Sequence, residues 1–136
     1  EIKRVSDIRL TQIEAESLDK DKLKAFIDSD IVSDAINYQS YREYRFSVNI
    51  PASLTGLTDD SDTTVILQGA VDLLIVKDGK ITIVDYKTDR VKSVETLVDR
   101  YHKQISLYKV AIGACFELPV DKCLIYSVHL GEYKEV

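Results

Sequence analysis

The fold of this chain is decided by one stretch, Thr64–Lys87, which reads TVILQGAVDLLIVKDGKITIVDYK. Two runs rich in Val, Ile and Leu flank the dipeptide Asp78-Gly79. Asp-Gly between apolar runs is a strong short-range signal for a two-residue β-hairpin, because both turn residues take a positive φ. The stretch therefore predicts two antiparallel strands, over residues 64–76 and 80–87, joined by a tight turn.

The two-residue turn also fixes which residues face each other across the hairpin. Lys77 faces Lys80, and five residues further along each strand Asp72 faces Asp85. We therefore predict two carboxylates opposite each other on one face, with Cβ atoms about 5 Å apart. Their neighbours on that face are all apolar, namely Leu74, Val76, Ile81 and Ile83.

Paired carboxylates on an apolar face need compensation, because opposed like charges destabilise a sheet and burial increases the cost. A hard divalent cation such as Mg²⁺ or Mn²⁺ would compensate them, since it prefers oxygen ligands. Lys87 projects from the same face, where an ammonium group can orient water and stabilise developing phosphate charge. Asp72, Asp85 and Lys87 are thus predicted to be catalytic residues for phosphodiester hydrolysis. The alternatives are a structural ion triad, or a longer turn that shifts the register.

The other elements follow from the hydrophobic period, which is 3.6 residues in helices and two in strands. They are, in chain order, a helix over residues 8–39, a strand over 41–50 that ends at Pro51, a polar loop over 53–62, the two hairpin strands, a helix from Ser93 to about Ile112, and a strand over 122–130 that ends at Gly131. This order predicts an α/β domain.

Composition limits the class of protein. The chain has 136 residues, 45% of them hydrophobic and 30% charged, which suits one modest domain and excludes a disordered chain. Its apolar runs are strand-sized, so no membrane association is predicted. Cys115 and Cys123 are too few for a disulfide framework and favour a reduced, cytoplasmic compartment. The chain opens at Glu1 and contains no Met, which is typical of a piece of a larger protein.

The charge distribution is more informative than the formal net charge of -5, which by itself argues against a dedicated nucleic-acid binder. Residues 90–109 hold five basic and two acidic residues. This basic stretch adjoins the predicted site and favours contact with phosphates. A solvated helix face is the alternative.

Three motifs together resemble the PD-(D/E)xK nuclease core in its RecB-like branch. Gly69-Ala70-Val71-Asp72 leads into the hairpin, Asp85-Tyr86-Lys87-Thr88-Asp89 follows it, and Gln104-Ile105-Ser106-Leu107-Tyr108 resembles the QxxxY motif. The run from Gln68 to Tyr108 is similar to the C-terminal nuclease domain of the AddA subunits of bacterial AddAB helicase/nucleases. The resemblance implies a restriction-endonuclease-like α/β fold, with a mixed β-sheet flanked by helices.

The resemblance also implies the chemistry, that of a Mg²⁺-dependent (or Mn²⁺-dependent) deoxyribonuclease. Asp72 and Asp85 would hold the metal, with the Tyr86 carbonyl as a further ligand, and Lys87 would orient water or stabilise charge. The family usually adds a His ligand from a helix before the first strand. The histidines of this chain, His102 and His129, do not match that position. We expect the missing ligand on sequence before Glu1, and the isolated chain to be weakly active or inactive.

The QxxxY helix is expected to border the site. In the family this motif positions DNA or the site residues, and the resemblance implies that role for Gln104 and Tyr108. Tyr101 lies one turn earlier on the same helix. From the residues alone, Gln104 lies in an apolar stripe and needs a polar partner, because an unsatisfied buried amide costs about 1–3 kcal/mol. The alternatives are a bond to a backbone carbonyl and a rotated helix that exposes it. Glu43 is predicted to be either an auxiliary acid or a strand-end residue paired with an Arg.

The expected organisation is an N-terminal helical segment over residues 1–40 that packs on a nuclease core over 41–136. No GxxxxGK[ST] loop is present, so ATP would be used only by a helicase part outside this chain. The resemblance implies DNA as substrate, an AddB-type partner subunit in a heterodimer, and exonuclease processing of double-strand breaks for recombinational repair. The alternatives are a single-strand nuclease of the Cas4 or phage-exonuclease kind, and a non-catalytic DNA-tracking module.

Overall fold

The structure, a computed structural model, describes residues 20–56, 58–60 and 62–136. Its elements, in chain order, are α1 (Lys20–Ile27), α2 (Asp30–Asn37), β1 (Gln39–Pro51), a 3-10 turn (Ala52–Thr55), β2 (Thr64–Lys77), β3 (Lys80–Lys87), α3 (Val94–Phe116), β4 (Val120–Ser127) and β5 (Glu132–Glu135).

The hairpin forms in the predicted register. Asp78 and Gly79 have φ values of 52° and 72°, as a two-residue hairpin turn requires. Lys77 pairs with Lys80, and the β2–β3 ladder continues to Leu73↔Val84. Asp72 and Asp85 are the next residues on the two strands, so both predicted carboxylates lie at the end of this ladder.

The strands form one mixed sheet in the order β1-β2-β3-β4-β5. β3 and β4 are parallel, and the other neighbouring pairs are antiparallel. A parallel pair needs a crossover connection, and α3 supplies it. The mixed sheet with flanking helices confirms the predicted fold class.

The sheet has a hydrophobic core on each face. α3 covers one face with Leu97, Ile105, Ala111 and Ile112, which pack against Val71, Leu74, Ile81, Ile83 and Ile125. α1 and α2 cover the other face with Phe26, Ile31, Val32 and Ala35, which pack against Leu73, Ile75, Val84, Leu124 and Tyr126. The site residues therefore sit on a β-sheet that is held between two helical layers.

Side chains along β1 alternate between the two faces of the sheet, and this alternation is interrupted near the site. Tyr44 and Phe46 lie in the α3-side core, but Tyr41, three residues before Tyr44, also packs there. Between them Glu43 has a φ of 48°, an uncommon value for a residue with a side chain. By register Glu43 lies opposite Asp72.

The alternation of side chains along β2 is interrupted at the residues that pair with this part of β1. Val71 and Leu74, also three residues apart, both contribute to the α3-side core, whereas Leu73 packs on the opposite face. Asp72 therefore lies at an irregular point of the sheet, which period-two reasoning did not anticipate.

The predicted helix over residues 8–39 is wrong in its continuity, since α1 and α2 are separate helices. Residues 8–19 lie outside the described residues. The break falls at Asp28-Ser29, where Ser29 has extended dihedrals and its hydroxyl donates a 2.6 Å hydrogen bond to the Phe26 carbonyl. Ser29 thus accounts for a carbonyl at the end of α1 and stands at the start of α2. Because the spacing of apolar residues continues across it, the hydrophobic pattern did not reveal the break.

The C-terminal prediction is also wrong in part. The last helix extends to Phe116, and the strand predicted over 122–130 ends at Ser127, where a turn leads into β5. The Ser127 carbonyl accepts from Gly131 N–H, and its hydroxyl accepts from Leu130 N–H. All four residues of β5 are exposed, so no alternation revealed this strand.

The expected division into residues 1–40 and 41–136 stays a prediction, and much of the first part lies outside the described residues. No helix in the described ranges is long and apolar enough to cross a membrane.

Candidate active site

The two predicted carboxylates are held differently. The Asp85 residue is 5% exposed, and its Oδ2 is fully buried and accepts no hydrogen bond from a described residue. Asp72 is half-buried, and its Oδ2 accepts a 2.8 Å hydrogen bond from the Tyr86 N–H. Beyond Val84, β3 leaves the ladder with β2 and continues beside β4, so Asp72 takes up a backbone donor of the departing strand.

The Lys87 ammonium group is surrounded by three side chains. Its Nζ lies 2.8 Å from the Asp85 Oδ2, although without hydrogen-bond geometry, and 3.0 Å from the Gln104 Oε1, to which it donates. It also lies 3.9 Å from the centroid of the Tyr101 ring. Because Lys carries three donors and no acceptor, one carboxylate, one amide oxygen and one aromatic face suit it.

The QxxxY helix reaches the site through Gln104. Gln104 has a polar partner, as predicted, but the partner is Lys87 rather than a core carbonyl, and the residue itself is exposed. Of the alternatives, the structure shows the one in which the helix exposes Gln104, and α3 lies beside the predicted catalytic lysine.

Tyr108 closes the apolar side of the site. Its ring meets Phe46 edge-on at 5.5 Å, and both rings lie over Gly69, where an added Cβ would be 2.9 Å from Phe46 and 3.2 Å from Tyr108. Burial raises the pKa of Tyr108, the charges of Asp85 and Asp72 raise it further, and Lys87 opposes them. The phenol therefore stays protonated at neutral pH, within the field of both carboxylates.

Two further residues were not predicted as part of the site. The Asp89 Oδ2 accepts hydrogen bonds from the Tyr101 hydroxyl at 2.8 Å and from Arg100 at 2.5 Å. Desolvation opposes ionisation of Asp89, but these two hydrogen bonds hold its pKa below the usual value. Asp89 belongs to the motif that begins at Asp85, and Arg100 had been counted only as part of a basic stretch.

Glu43 is not at a strand end, as had been expected, but inside β1. It is exposed and lies opposite Asp72 in the register. Its position beside the predicted metal ligands is compatible with an auxiliary acid, and this role stays a prediction.

The two histidines lie elsewhere. His102 is exposed on α3, with its Nδ1 3.0 Å from the Asp99 carbonyl, and His129 is exposed in the turn after β4. Among the described residues, no group of three or more His, Cys, Asp or Glu side chains is arranged to hold a metal ion.

The available donors nevertheless suit one class of metal. The Asp85 Oδ2 is a buried anionic oxygen that accepts no hydrogen bond from a described residue, and the Lys87 ammonium group lies 2.8 Å from it. Mg²⁺ is commonly bound through one or two carboxylates together with water and substrate phosphates, so Asp72 and Asp85 are donors of the type it prefers. They do not suit a structural zinc ion, which needs four protein ligands.

The chain as a whole is similar to a known family of nucleases. The sequence profile of the PD-(D/E)XK nuclease superfamily matches residues 8–133. The chain belongs to this superfamily. Its fold and the paired aspartates followed by Lys87 agree with that membership.

Curated relatives are named as the A subunit of an ATP-dependent helicase/nuclease. The protein from Oceanobacillus iheyensis is 33% identical over 91% of this chain and 11% of its own length. Those from Ligilactobacillus salivarius and Geobacillus thermodenitrificans are 30% and 32% identical, over 94% and 97% of this chain and 11% and 12% of their lengths. This chain thus spans about a tenth of these relatives. Among solved structures, SSO0001 matches 78% of this chain and 44% of its own, with a TM-score of 0.49 and 13% identity.

Proposed function

We propose that this domain hydrolyses DNA phosphodiester bonds with Mg²⁺ or Mn²⁺, as the nuclease module of an AddA-type helicase/nuclease. The observation that carries the proposal is the Asp85 carboxylate. It has one buried oxygen that accepts no hydrogen bond, lies 2.8 Å from the Lys87 ammonium group and adjoins Asp72.

In this proposal Asp72 and Asp85 hold the cation, with the Tyr86 carbonyl as a further ligand. When bound, the cation polarises the phosphate and lowers the pKa of water. Burial of Asp85 would strengthen the attraction between its carboxylate and the cation, since charges attract more strongly where water is excluded.

Lys87 has the role of placing positive charge where the phosphate develops negative charge. Gln104 and Tyr101 keep its flexible side chain beside Asp85 and out of solvent. Tyr108, protonated at neutral pH, is a hydrogen-bond donor at the border of the site. Arg90, Lys92, Lys103 and Lys109 are exposed on α3 and on the segment before it, where they are available to phosphates.

The wider role rests on the relatives. Their name supports a nuclease that works with an ATP-driven helicase part outside this chain. We extend this to processing of double-strand breaks for recombinational repair, in a heterodimer with an AddB-type subunit.

The test is cleavage of linear DNA by the longest natural chain that carries this domain, together with its partner subunit. The parent should cleave with Mg²⁺ and stop when Mg²⁺ is chelated. Asp72→Asn should lower the rate by at least about 10²-fold, because it removes one charged metal ligand. Asp78→Asn makes the same charge change in the exposed turn and should cleave like the parent.

The absence of a third His or acidic ligand among the described residues favours a second candidate, a non-catalytic DNA-binding module with this fold. That candidate predicts a parent protein that binds DNA and does not cleave it under any divalent metal. Mg²⁺-dependent cleavage that Asp72→Asn removes would exclude it.

A further inference from the structure

Asp89 lies outside the predicted catalytic set, on the segment that links β3 to α3. Its side chain is 21% exposed, and one oxygen, Oδ2, accepts from both Tyr101 and Arg100. These two donors are neighbours on α3. Asp89 therefore ties the segment that leaves the site to the first half of the helix that borders it.

The Tyr101 side chain continues this tie to Lys87. Its hydroxyl donates to Asp89, and its ring face lies under the Lys87 Nζ at 3.9 Å. The hydroxyl lies on the long axis of the ring, so its 2.8 Å bond to Asp89 fixes where the ring lies rather than its rotation about that axis. The position of the ring beside the ammonium group is thus set from Asp89.

We propose that Asp89 is a positioning residue that acts through Tyr101 to hold the Lys87 ammonium group against Asp85. Lys has a long side chain with several rotatable bonds, and Lys87 is close enough to the surface to swing into water. Gln104 restrains it through one hydrogen bond. The Tyr101 ring supplies a second restraint, and Asp89 holds that ring in place.

The ion pair between Asp89 and Arg100 is exposed, which distinguishes a positioning role of Asp89 from a role in stability. Arg100 is 49% exposed, and surface ion pairs of this kind contribute little to folding. We therefore expect Asp89 variants to change the surroundings of Lys87 far more than they change the unfolding midpoint.

The first test needs neither metal nor activity. The metal-free full chain is treated with formaldehyde and cyanoborohydride, and dimethylation of Lys87 is measured by mass spectrometry relative to exposed Lys103. Asp89→Asn and Tyr101→Phe should each speed labelling of Lys87 severalfold, and the double variant should be no faster than either. The control is Glu95→Gln, also on α3, which breaks an exposed ion pair with Lys134 of β5. It should leave the labelling rate of Lys87 unchanged.

The second test is kinetic and rests on the proposed function. Asp89→Asn should lower kcat about tenfold to a hundredfold with little change in KM, because misplacing a catalytic group by an ångström has effects of that size. Asp89→Glu, which keeps the charge, should recover part of the loss. If the parent does not cleave DNA, the proposed function fails, and the labelling result still decides this inference.

Two results would overturn the inference. One is parental labelling of Lys87 in both Asp89→Asn and Tyr101→Phe. The other is a loss of kcat in Asp89→Asn that only follows a lowered unfolding midpoint, with Lys87 labelled as in the parent. Tyr101→Phe removes only the hydroxyl and retains an aromatic ring, so it remains interpretable if Asp89→Asn folds poorly.

Discussion

Asp85 and Lys87 form an ion pair whose two members are not equivalent. The Asp85 side chain is 6% exposed and that of Lys87 is 15% exposed. Removing the lysine leaves a buried carboxylate with no positive partner, whereas Asp85→Asn leaves an ammonium group that still contacts Gln104 and can reach water.

We therefore predict that Lys87→Met loses more free energy of unfolding than Asp85→Asn. The loss should approach the roughly 3–5 kcal/mol found when a buried pair loses one partner. Urea unfolding with a chelator present measures both variants, with Lys103→Met as the exposed control. An equal or smaller loss for Lys87→Met would show that Asp85 does not depend on this lysine.

Gly69 is the residue that lets Tyr108 and Phe46 approach the strand. An added Cβ would be 2.9 Å from one ring and 3.2 Å from the other, so both rings must move. We predict that Gly69→Ala costs about 1–3 kcal/mol by overpacking and shifts the Tyr108 hydroxyl away from the carboxylates. The urea midpoint and the near-ultraviolet circular dichroism of tyrosine would report both effects, and unchanged values would contradict the packing described.

At the scale of elements, α3 offers the opposite glycine test. An added Cβ at Gly113 would meet only ordinary contacts, at 3.7 Å from the Leu118 carbonyl and 3.9 Å from Val120. Since Ala is favoured over Gly in a helix by about 1 kcal/mol, Gly113→Ala should stabilise the protein by roughly 0.5–1 kcal/mol. Thermal unfolding measures it, and a lowered midpoint would mean that the end of α3 is packed more tightly than described.

The elements also show how far sequence reasoning reaches. The register of the hairpin was predictable because Asp78-Gly79 favours a two-residue turn. That register was enough to predict that Asp72 and Asp85 lie close together. The break at Ser29 and the exposed strand β5 were not predictable, since neither changes a hydrophobic pattern. The change of side-chain alternation at Asp72 was not predictable, because it lies opposite a positive φ at Glu43 in the neighbouring strand, and neither feature leaves a mark in a two-residue pattern.

The site shows the same limit. The expectation that Asp72, Asp85, Lys87 and Gln104 lie close together followed from the hairpin register and from the family's motifs, and the contacts of Lys87 with Asp85 and Gln104 agree with it. The bond from Asp89 to Tyr101 joins a loop to a helix, and no local period encodes such a contact.

At the scale of the whole molecule, tyrosines with raised pKa values make stability depend on alkaline pH. Burial raises the pKa of Tyr126 to about 12, the hydrogen bond to Asp89 raises the pKa of Tyr101, and partial burial raises that of Tyr108. Above about pH 10 the unfolded chain loses phenolic protons that the folded protein retains, so stability present below that pH falls as pH rises toward 12.

Tyr126→Phe should reduce this fall, since it removes the group with the largest raised pKa while keeping the ring against Phe26. The difference between variant and parent should reach about 2–3 kcal/mol near pH 12. Urea unfolding at pH 8, 10 and 12 measures it. Parallel curves for the two proteins would mean that Tyr126 is accessible to hydroxide in the folded state.

The most direct measurement of the central claim is the rate at which Asp85→Asn, in the longest natural chain with its partner subunit, cleaves linear DNA with Mg²⁺. The substitution keeps the shape of the side chain and removes the buried charge that is assigned to the metal. We predict loss of cleavage by at least about 10²-fold, with the fold retained and Glu95→Gln cleaving like the parent. Cleavage by Asp85→Asn at the parental rate would contradict the assignment of this site.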